Sequence, residues 1–211
     1  MTRNILILCV ALILTGCTSR LTIPPVNVQT PTGLTPIPGN FAATIQTGGW
    51  ALKVDPQGMN CAIMSFNADI NAPYESAMRD VLTKSVGKIT FVPGALSPEQ
   101  LQKNKYDAQI TIYQGNADSK LVVVPALFSA TANSDIVLTT TLAITDKTGL
   151  VYQYSPIGKG SGAVEVHLSC PAIGEAVAKA GQSAVQEIVQ NTALYIREGL
   201  RDWETKKMAK R

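Results

Sequence analysis

Residues 134–154, which read SDIVLTTTLAITDKTGLVYQY, decide the fold class of this 211-residue chain. From Ile136 to Ile144 two sets of side chains alternate, and one set is the more apolar, which is typical of a half-buried β-strand. Residues 146–149, Asp-Lys-Thr-Gly, predict a type I turn with glycine in the left-handed position. Residues 150–154 then predict the returning strand of an antiparallel hairpin.

Shorter patterns on both sides of this hairpin predict the remaining strands and two helices. An apolar stripe at helical spacing predicts a helix that opens at Pro73 and ends at Gly87, and Ser97 is the expected cap of a short second helix. The glycine-rich segment 158–162 precedes a strand and not a helix, which favours a flexible loop over a phosphate-binding loop. The further predicted strands are 50–54, 61–66, 88–92, 106–114, 121–124 and 163–168.

A long amphipathic helix is predicted from about residue 169 to 207. It would be about 50 Å long, whereas a six-residue strand spans only about 20 Å. We therefore expect its last turns to project beyond the sheet and predict a partner-binding surface at Ile196, Leu200 and Trp203. Gly199 could instead end the helix early. The complete pattern predicts an α+β fold, with a two-layer mixed and mainly antiparallel sheet, helices on one face and a long C-terminal helix.

The first residues predict an export signal. Arg3 precedes an unbroken apolar run from Ile5 to Leu14, too short for the roughly 20 residues of a membrane-spanning helix. Residues 14–17, Leu-Thr-Gly-Cys, resemble the bacterial lipobox, where a peptidase cuts before a lipid-modified cysteine. The resemblance implies a mature chain that begins at Cys17 and carries acyl chains such as palmitate. Thr18 stands where many lipoproteins retained in the inner membrane carry an aspartate. The resemblance therefore implies that the chain is located at the periplasmic face of the outer membrane.

The next segment is rich in proline, with five prolines between residues 24 and 38. This composition disfavours helix and indicates extended backbone. We therefore predict a signal peptide at 1–16, a lipidated cysteine and linker at 17–47, and a periplasmic domain at 48–211. The alternative is that part of the linker packs along the domain or a neighbouring subunit.

Four cysteines are present, and the compartment determines their predicted roles. Cys9 leaves with the signal and Cys17 carries lipid, so Cys61 and Cys170 remain. An even pair in an oxidising periplasm predicts a disulfide between them. Two separately buried free thiols are the alternative.

The composition and the few reactive residues argue against catalysis. Hydrophobic residues make up 45% of the chain, enough for a core, and a net charge of +3 is too small to indicate nucleic acid as a partner. His167 is the single histidine, and it could act with Cys170 only if that thiol were free. One histidine and at most two cysteines fall short of a tetrahedral metal site. We predict no enzyme activity, metal or cofactor.

The order of the elements is similar to that of a group of envelope lipoproteins with an anticodon-binding-domain-like fold. Residues 62–66, 106–112 and 142–151 carry the likeness. The group includes the curli-secretion channel lipoprotein, the Pel polysaccharide-export lipoprotein and an outer-membrane activator of a peptidoglycan synthase. The resemblance implies an oligomeric assembly or docking component of an export or secretion complex. The alternative is a monomeric regulator or binding module for a cell-wall enzyme or transporter.

Overall fold

A computed structural model describes residues 17–28, 35–57, 64–166 and 170–209 and confirms the mixed α+β class. Its strands are β1 (Cys17–Thr22), β2 (Ile37–Gln46), β3 (Ala51–Val54), β4 (Met64–Asp69), β5 (Val86–Phe91), β6 (Ala108–Pro125), β7 (Ala130–Asp146), β8 (Gly149–Tyr154) and β9 (Ile157–Val166). Its α-helices are α1 (Asn71–Ser85), α2 (Pro98–Lys103) and α3 (Ile173–Ala209), and a 3-10 turn at Cys170–Ala172 precedes α3.

The larger sheet contains the predicted hairpin as β7 and β8, and β7 also forms a second, much longer hairpin with β6. β6 and β7 pair in antiparallel fashion from Ala108 opposite Asp146 to Pro125 opposite Ala130. The strand order is β5-β2-β6-β7-β8, and β2 runs parallel to both of its neighbours. β8 pairs with the last part of β7 and β9 with its first part. The sheet is therefore mixed, with a mainly antiparallel half.

A smaller sheet has the order β1-β4-β3 and lies beside the larger one. β1 runs parallel to β4, with Cys17 opposite Met64, and β3 is antiparallel to β4. Gln57, just after β3, forms a parallel bridge with Val122 of β6. Backbone hydrogen bonds of 2.9 Å to the carbonyl of Leu121 and 3.1 Å from the amide of Val123 close this bridge. The two sheets are thus joined near the end of the long hairpin.

The helices form the second layer and enclose one hydrophobic core. α3 packs along β9 and β7 and also contacts α1, β8 and the smaller sheet. Trp50 and Tyr74 meet edge to face with ring centroids 4.7 Å apart, which connects the smaller sheet to α1. The short helix α2 has the expected cap, because Ser97 and Gln100 form a reciprocal capping box. Its one buried side chain is Leu101.

The prediction that residues 17–47 form a linker is wrong, because two strands of the folded body lie in this range. β2 lies inside the larger sheet between β5 and β6, and β1 belongs to the smaller sheet. Pro38 is tolerated because it falls at an irregularity of the ladder, where the pairing of β2 shifts between Ile37 and Asn40. Gly39, at φ 143°, occupies backbone space that suits glycine. The folded body therefore begins well before the predicted boundary at residue 48.

The glycine-rich segment 158–162 is also not the predicted loop. It forms the first half of β9, and its three glycines are buried on the face toward α3. A Cβ atom at Gly158 would lie 2.5 Å from the backbone nitrogen of Ile188, and one at Gly160 would overlap the carbonyl oxygen of Ala180. The glycines thus allow the helix backbone to approach the strand closely.

Candidate interaction surface

The residues predicted to bear on chemistry lie mostly where the structure gives no description. Cys61 and His167 fall outside the described ranges, so the disulfide between Cys61 and Cys170 stays a prediction. The start of α3 contacts β4 near these cysteines. Gly174, just after the 3-10 turn that Cys170 opens, packs beside Phe66 of β4. Within residues 17–28, 35–57, 64–166 and 170–209, no three His, Cys, Asp or Glu residues are grouped to hold a metal ion.

The predicted partner-binding surface at the end of α3 is wrong. Ile196 and Leu200 are fully buried in the chain's own core, and only 4% of the Trp203 surface is exposed. The helix has 37 residues and spans about 55 Å. β6 and β7 have 18 and 17 residues, so they also reach about 55 to 60 Å. The sheet therefore supports the last turns that the sequence argument left uncovered.

Trp203 fixes the end of α3 to the sheet. Its ring meets Phe41 of β2 edge to face, with centroids 5.7 Å apart. Its Nε1 donates a hydrogen bond of 3.1 Å to Oδ2 of Asp146, the last residue of β7. A buried indole needs such a partner because its N–H would otherwise lose hydration without compensation.

A charged pair completes this contact, which we call the C-terminal latch (Asp107, Asp146, Trp203 and Lys207). The Lys207 ammonium donates to Oδ1 of Asp107 at 2.9 Å and lies 4.6 Å from the Trp203 ring centroid. Partial burial raises the pKa of Asp107, but hydrogen bonds from the Asn40 backbone N–H and from Lys207 outweigh it. The net pKa of Asp107 lies below its usual value.

A cleft of about 270 Å³ adjoins the latch and is lined in part by Lys147, Thr148 and Val151. The acids on its wall are engaged within the chain, because Asp107 pairs with Lys207 and Asp146 accepts from Trp203 and from the backbone and hydroxyl of Thr148. The geometry therefore indicates a structural role for these residues in holding α3.

An exposed apolar surface lies on the same helix, on the N-terminal side of the latch. Tyr154 of β8 and Tyr195 of α3 stack with ring centroids 3.6 Å apart, and their hydroxyl groups are 2.9 Å apart. Leu194 is 57% exposed and Ile157 is 47% exposed. We call these four residues the tyrosine face. Tyrosine and exposed aliphatic side chains together are typical of contact surfaces between proteins.

The hydrogen bond within the tyrosine face changes the pKa of Tyr195. The contact with Tyr154 is the main cause that raises the pKa of Tyr195, and slight desolvation and neighbouring acidic charge act in the same direction. The Tyr195 hydroxyl is therefore protonated at neutral pH and donates to the Tyr154 hydroxyl. The sequence argument missed this face, although Leu194 and Tyr195 lie off the main buried stripe of α3 and gave a signal for it.

Side chains of α3 also cover part of the sheet edge. Asn191 donates from Nδ2 to the carbonyl of Ile157 at 2.7 Å, and the Lys159 backbone N–H donates to Oε2 of Glu187 at 3.1 Å. These backbone groups of β9 are thereby occupied within the chain. Strand addition at this stretch would have to displace them.

Comparisons with known proteins establish no family. No family model matches the chain, and no curated protein matches it. A solved Xanthomonas campestris protein assigned to family-model DUF330 aligns at a TM-score of 0.47 with 8% identity, covering 87% of this chain and 99% of that one. A minor lipoprotein from Acinetobacter baumannii aligns at 0.38 with 8% identity, covering 74% and 92%.

A dodecamer of PelC from Paraburkholderia phytofirmans aligns at a TM-score of 0.27 with 11% identity, covering 71% of this chain and 89% of that one. All three scores are low, so no functional assignment follows from them. The resemblance to the lipoprotein group that includes the Pel export protein stays a prediction. None of the helices in the described part of the chain has an apolar run sufficient to span a bilayer.

Proposed function

We propose that this chain is a lipid-anchored protein of the bacterial envelope, held at the periplasmic face of the outer membrane and acting as a non-enzymatic docking component. The observation that carries the proposal is the lipobox-like segment 14–17, whose cysteine is the first residue of β1. An acylated Cys17 would attach the folded body to the bilayer without an intervening linker. Several acyl chains give stable attachment, since each buried methylene contributes about 0.8 kcal/mol.

The tyrosine face supports the docking part of the proposal. It combines exposed apolar area with two hydroxyl groups, and α3 places the oppositely charged Arg197 and Glu198 next to it. A rim with both signs of charge suits a contact between two copies of one surface, because each acid can then meet a base across a two-fold axis. We propose that copies of the chain associate through this face within an export or secretion complex.

Mass spectrometry of the membrane-extracted protein tests the anchor. We expect a mature N-terminus at Cys17 with attached diacylglycerol and fatty acid, and we expect Cys17→Ala to stay unprocessed and to lose outer-membrane fractionation. Ser19→Ala is the matched control, because it changes a nearby position outside the lipobox-like segment. An unmodified chain that still begins at Met1 would contradict the anchor.

Light scattering after size-exclusion chromatography tests self-association. We expect detergent-solubilised protein to form an oligomer that Leu194→Glu dissociates, because the variant places a charge in the tyrosine face. Leu150→Glu is the control, since Leu150 is 60% exposed but lies outside that face. A wild-type monomer at all concentrations would remove self-association and would favour a monomeric regulator of a cell-wall enzyme or transporter.

A further inference from the structure

The turn between β6 and β7 carries the most exposed large apolar side chains of the described residues. Leu127 is 90% exposed and Phe128 is 88% exposed, and Val124 beside them is 50% exposed. The turn itself is ordered by a hydrogen bond of 2.8 Å from the Ala126 N–H to the Ser129 carbonyl. We call residues 124–129 the hairpin tip. Adjacent apolar side chains held outward on a closed turn are typical of a contact surface.

The hairpin around this tip is free of charge over a long stretch. Residues 121–134 contain no Asp, Glu, Lys or Arg. Within the hairpin the nearest charges are Lys120 and Asp135, which lie opposite each other in the strand register. On the neighbouring strand β9, the exposed Glu165 lies opposite Thr131. Lys120 is five positions before Pro125, or about 16 Å along the strand. Glu165 is level with Thr131, two positions or about 7 Å behind Ser129, so the turn could enter an apolar medium to about that depth without burying an ionised group.

The register of the strands places the start of the mature chain at the same end of the molecule. Gln57 bridges Val122 in parallel, so the chain from β3 to Gln57 runs toward the hairpin tip. β4 runs back in the opposite direction, and β1 is parallel to β4. β1 therefore begins at the tip end, with the Cys17 backbone about 20 Å behind the tip along the strands.

We infer that the hairpin tip inserts Leu127 and Phe128 into the lipid bilayer that holds the acylated Cys17, as a second membrane contact. The inference rests on the proposed anchor and extends it. A tip without charges and an anchor at the same end of one rigid body can touch a single plane. Two contacts leave the body free to rotate only about the line that joins them, whereas an acyl anchor alone leaves it free to tilt in every direction.

Tryptophan quenching in vesicles tests the insertion. The full-length acylated protein would be reconstituted into phosphatidylethanolamine and phosphatidylglycerol vesicles, with and without brominated acyl chains. The probes are Phe128→Trp at the tip and Leu150→Trp as the matched control, since Leu150 is an exposed leucine paired near the opposite end of β7. The native Trp50 and Trp203 are buried and supply the background, measured on the wild type.

We expect brominated lipid to remove most of the emission added by Phe128→Trp and to leave that added by Leu150→Trp unchanged. Equal quenching of the two variants would overturn the inference. A concentration-dependent blue shift of Phe128→Trp in the absence of vesicles would also overturn it, because it would identify a second copy as the covering partner. Circular dichroism checks that both variants are folded.

The same samples separate this inference from the proposed anchor. If mass spectrometry finds no acylation of Cys17, the anchor fails, and added vesicles then test the tip alone. Quenching of Phe128→Trp in that unmodified protein would still support insertion, and absence of quenching would overturn it.

Discussion

The two halves of α3 are held against the sheet in different ways. The first half lies on the glycines of β9, where strand and helix backbones are so close that no side chain fits between them. The second half ends in the C-terminal latch, where Trp203, Asp107, Asp146 and Lys207 meet through long side chains. Close backbone packing has no room to adjust, whereas a contact between side chains can weaken in steps. Substitutions in the two halves should therefore differ in how far they lower the free energy of unfolding.

Gly160→Val should give the largest effect. The added side chain would collide with the helix backbone at Ala180, so strand and helix must separate. We expect the free energy of unfolding to fall by about 4 kcal/mol or more, as in severe core overpacking. Urea denaturation followed by circular dichroism measures it. Ser161→Val is the control on the exposed face of the same strand, and a similar loss in both variants would contradict the packing argument.

Trp203→Ala should have the next largest effect. Removing a buried indole leaves a cavity beside Phe41, and we expect a loss of about 3 kcal/mol. Trp203→Phe should lose only about 1 kcal/mol, because the ring contact remains and only the bond to Asp146 disappears. Leu194→Ala, exposed on the same helix, should be nearly neutral. Thermal and urea unfolding of the three variants test this order, and equal stability of Trp203→Ala and wild type would refute the latch.

Lys207→Gln should cost less than about 1 kcal/mol, because the ion pair with Asp107 is partly solvated. Lys206→Gln is a control on the preceding residue, whose partner Asp202 is on the same helix. We expect Lys207→Gln also to raise the pKa of Asp107, which nuclear magnetic resonance titration of the carboxyl carbon would follow. No change in that pKa would show that the pair does not form in solution.

The pH dependence of the latch should be the smallest effect. Because the folded-state pKa of Asp107 lies below its unfolded value, its contribution is complete above about pH 4 and is lost as the pH falls through the folded-state pKa. We expect Asp107→Asn to lower stability at pH 7 and to match the wild type at the lowest pH. A difference that grew on acidification would reverse this assignment.

Much of the fold could be predicted because many elements have local signals. The hairpin after Ser134, the helix α1 and the cap at Ser97 each depend on alternation, helical spacing or a capping residue within a few positions. β2 was missed because its prolines and glycines suggested a linker, although the run from Phe41 to Ile45 is apolar. The ladder irregularity at Pro38, which makes the strand possible, depends on pairing with distant residues.

The candidate site was predicted less well because it depends on lengths and distances across the molecule. β6 was divided into two short strands at Gly115, where the structure has only a shift in register. Because the predicted strands were too short, the sheet was expected to end before it reached Trp203. The local sequence predicts a loop at the glycines of β9, because nothing in it shows that the alanines of α3 lie against them. The tyrosine face likewise arises from residues 41 positions apart.

The parallel pairing of the N-terminal strands has a consequence for how the chain reaches its native state. Cys17 lies opposite Met64, and Phe41 lies opposite Ala108, so these strands find partners only after long stretches of chain have been placed. Such high contact order slows folding to the range of milliseconds to seconds. The newly synthesised polypeptide should therefore spend that time with apolar strands uncovered, which makes it a natural client for holding chaperones until both sheets have closed.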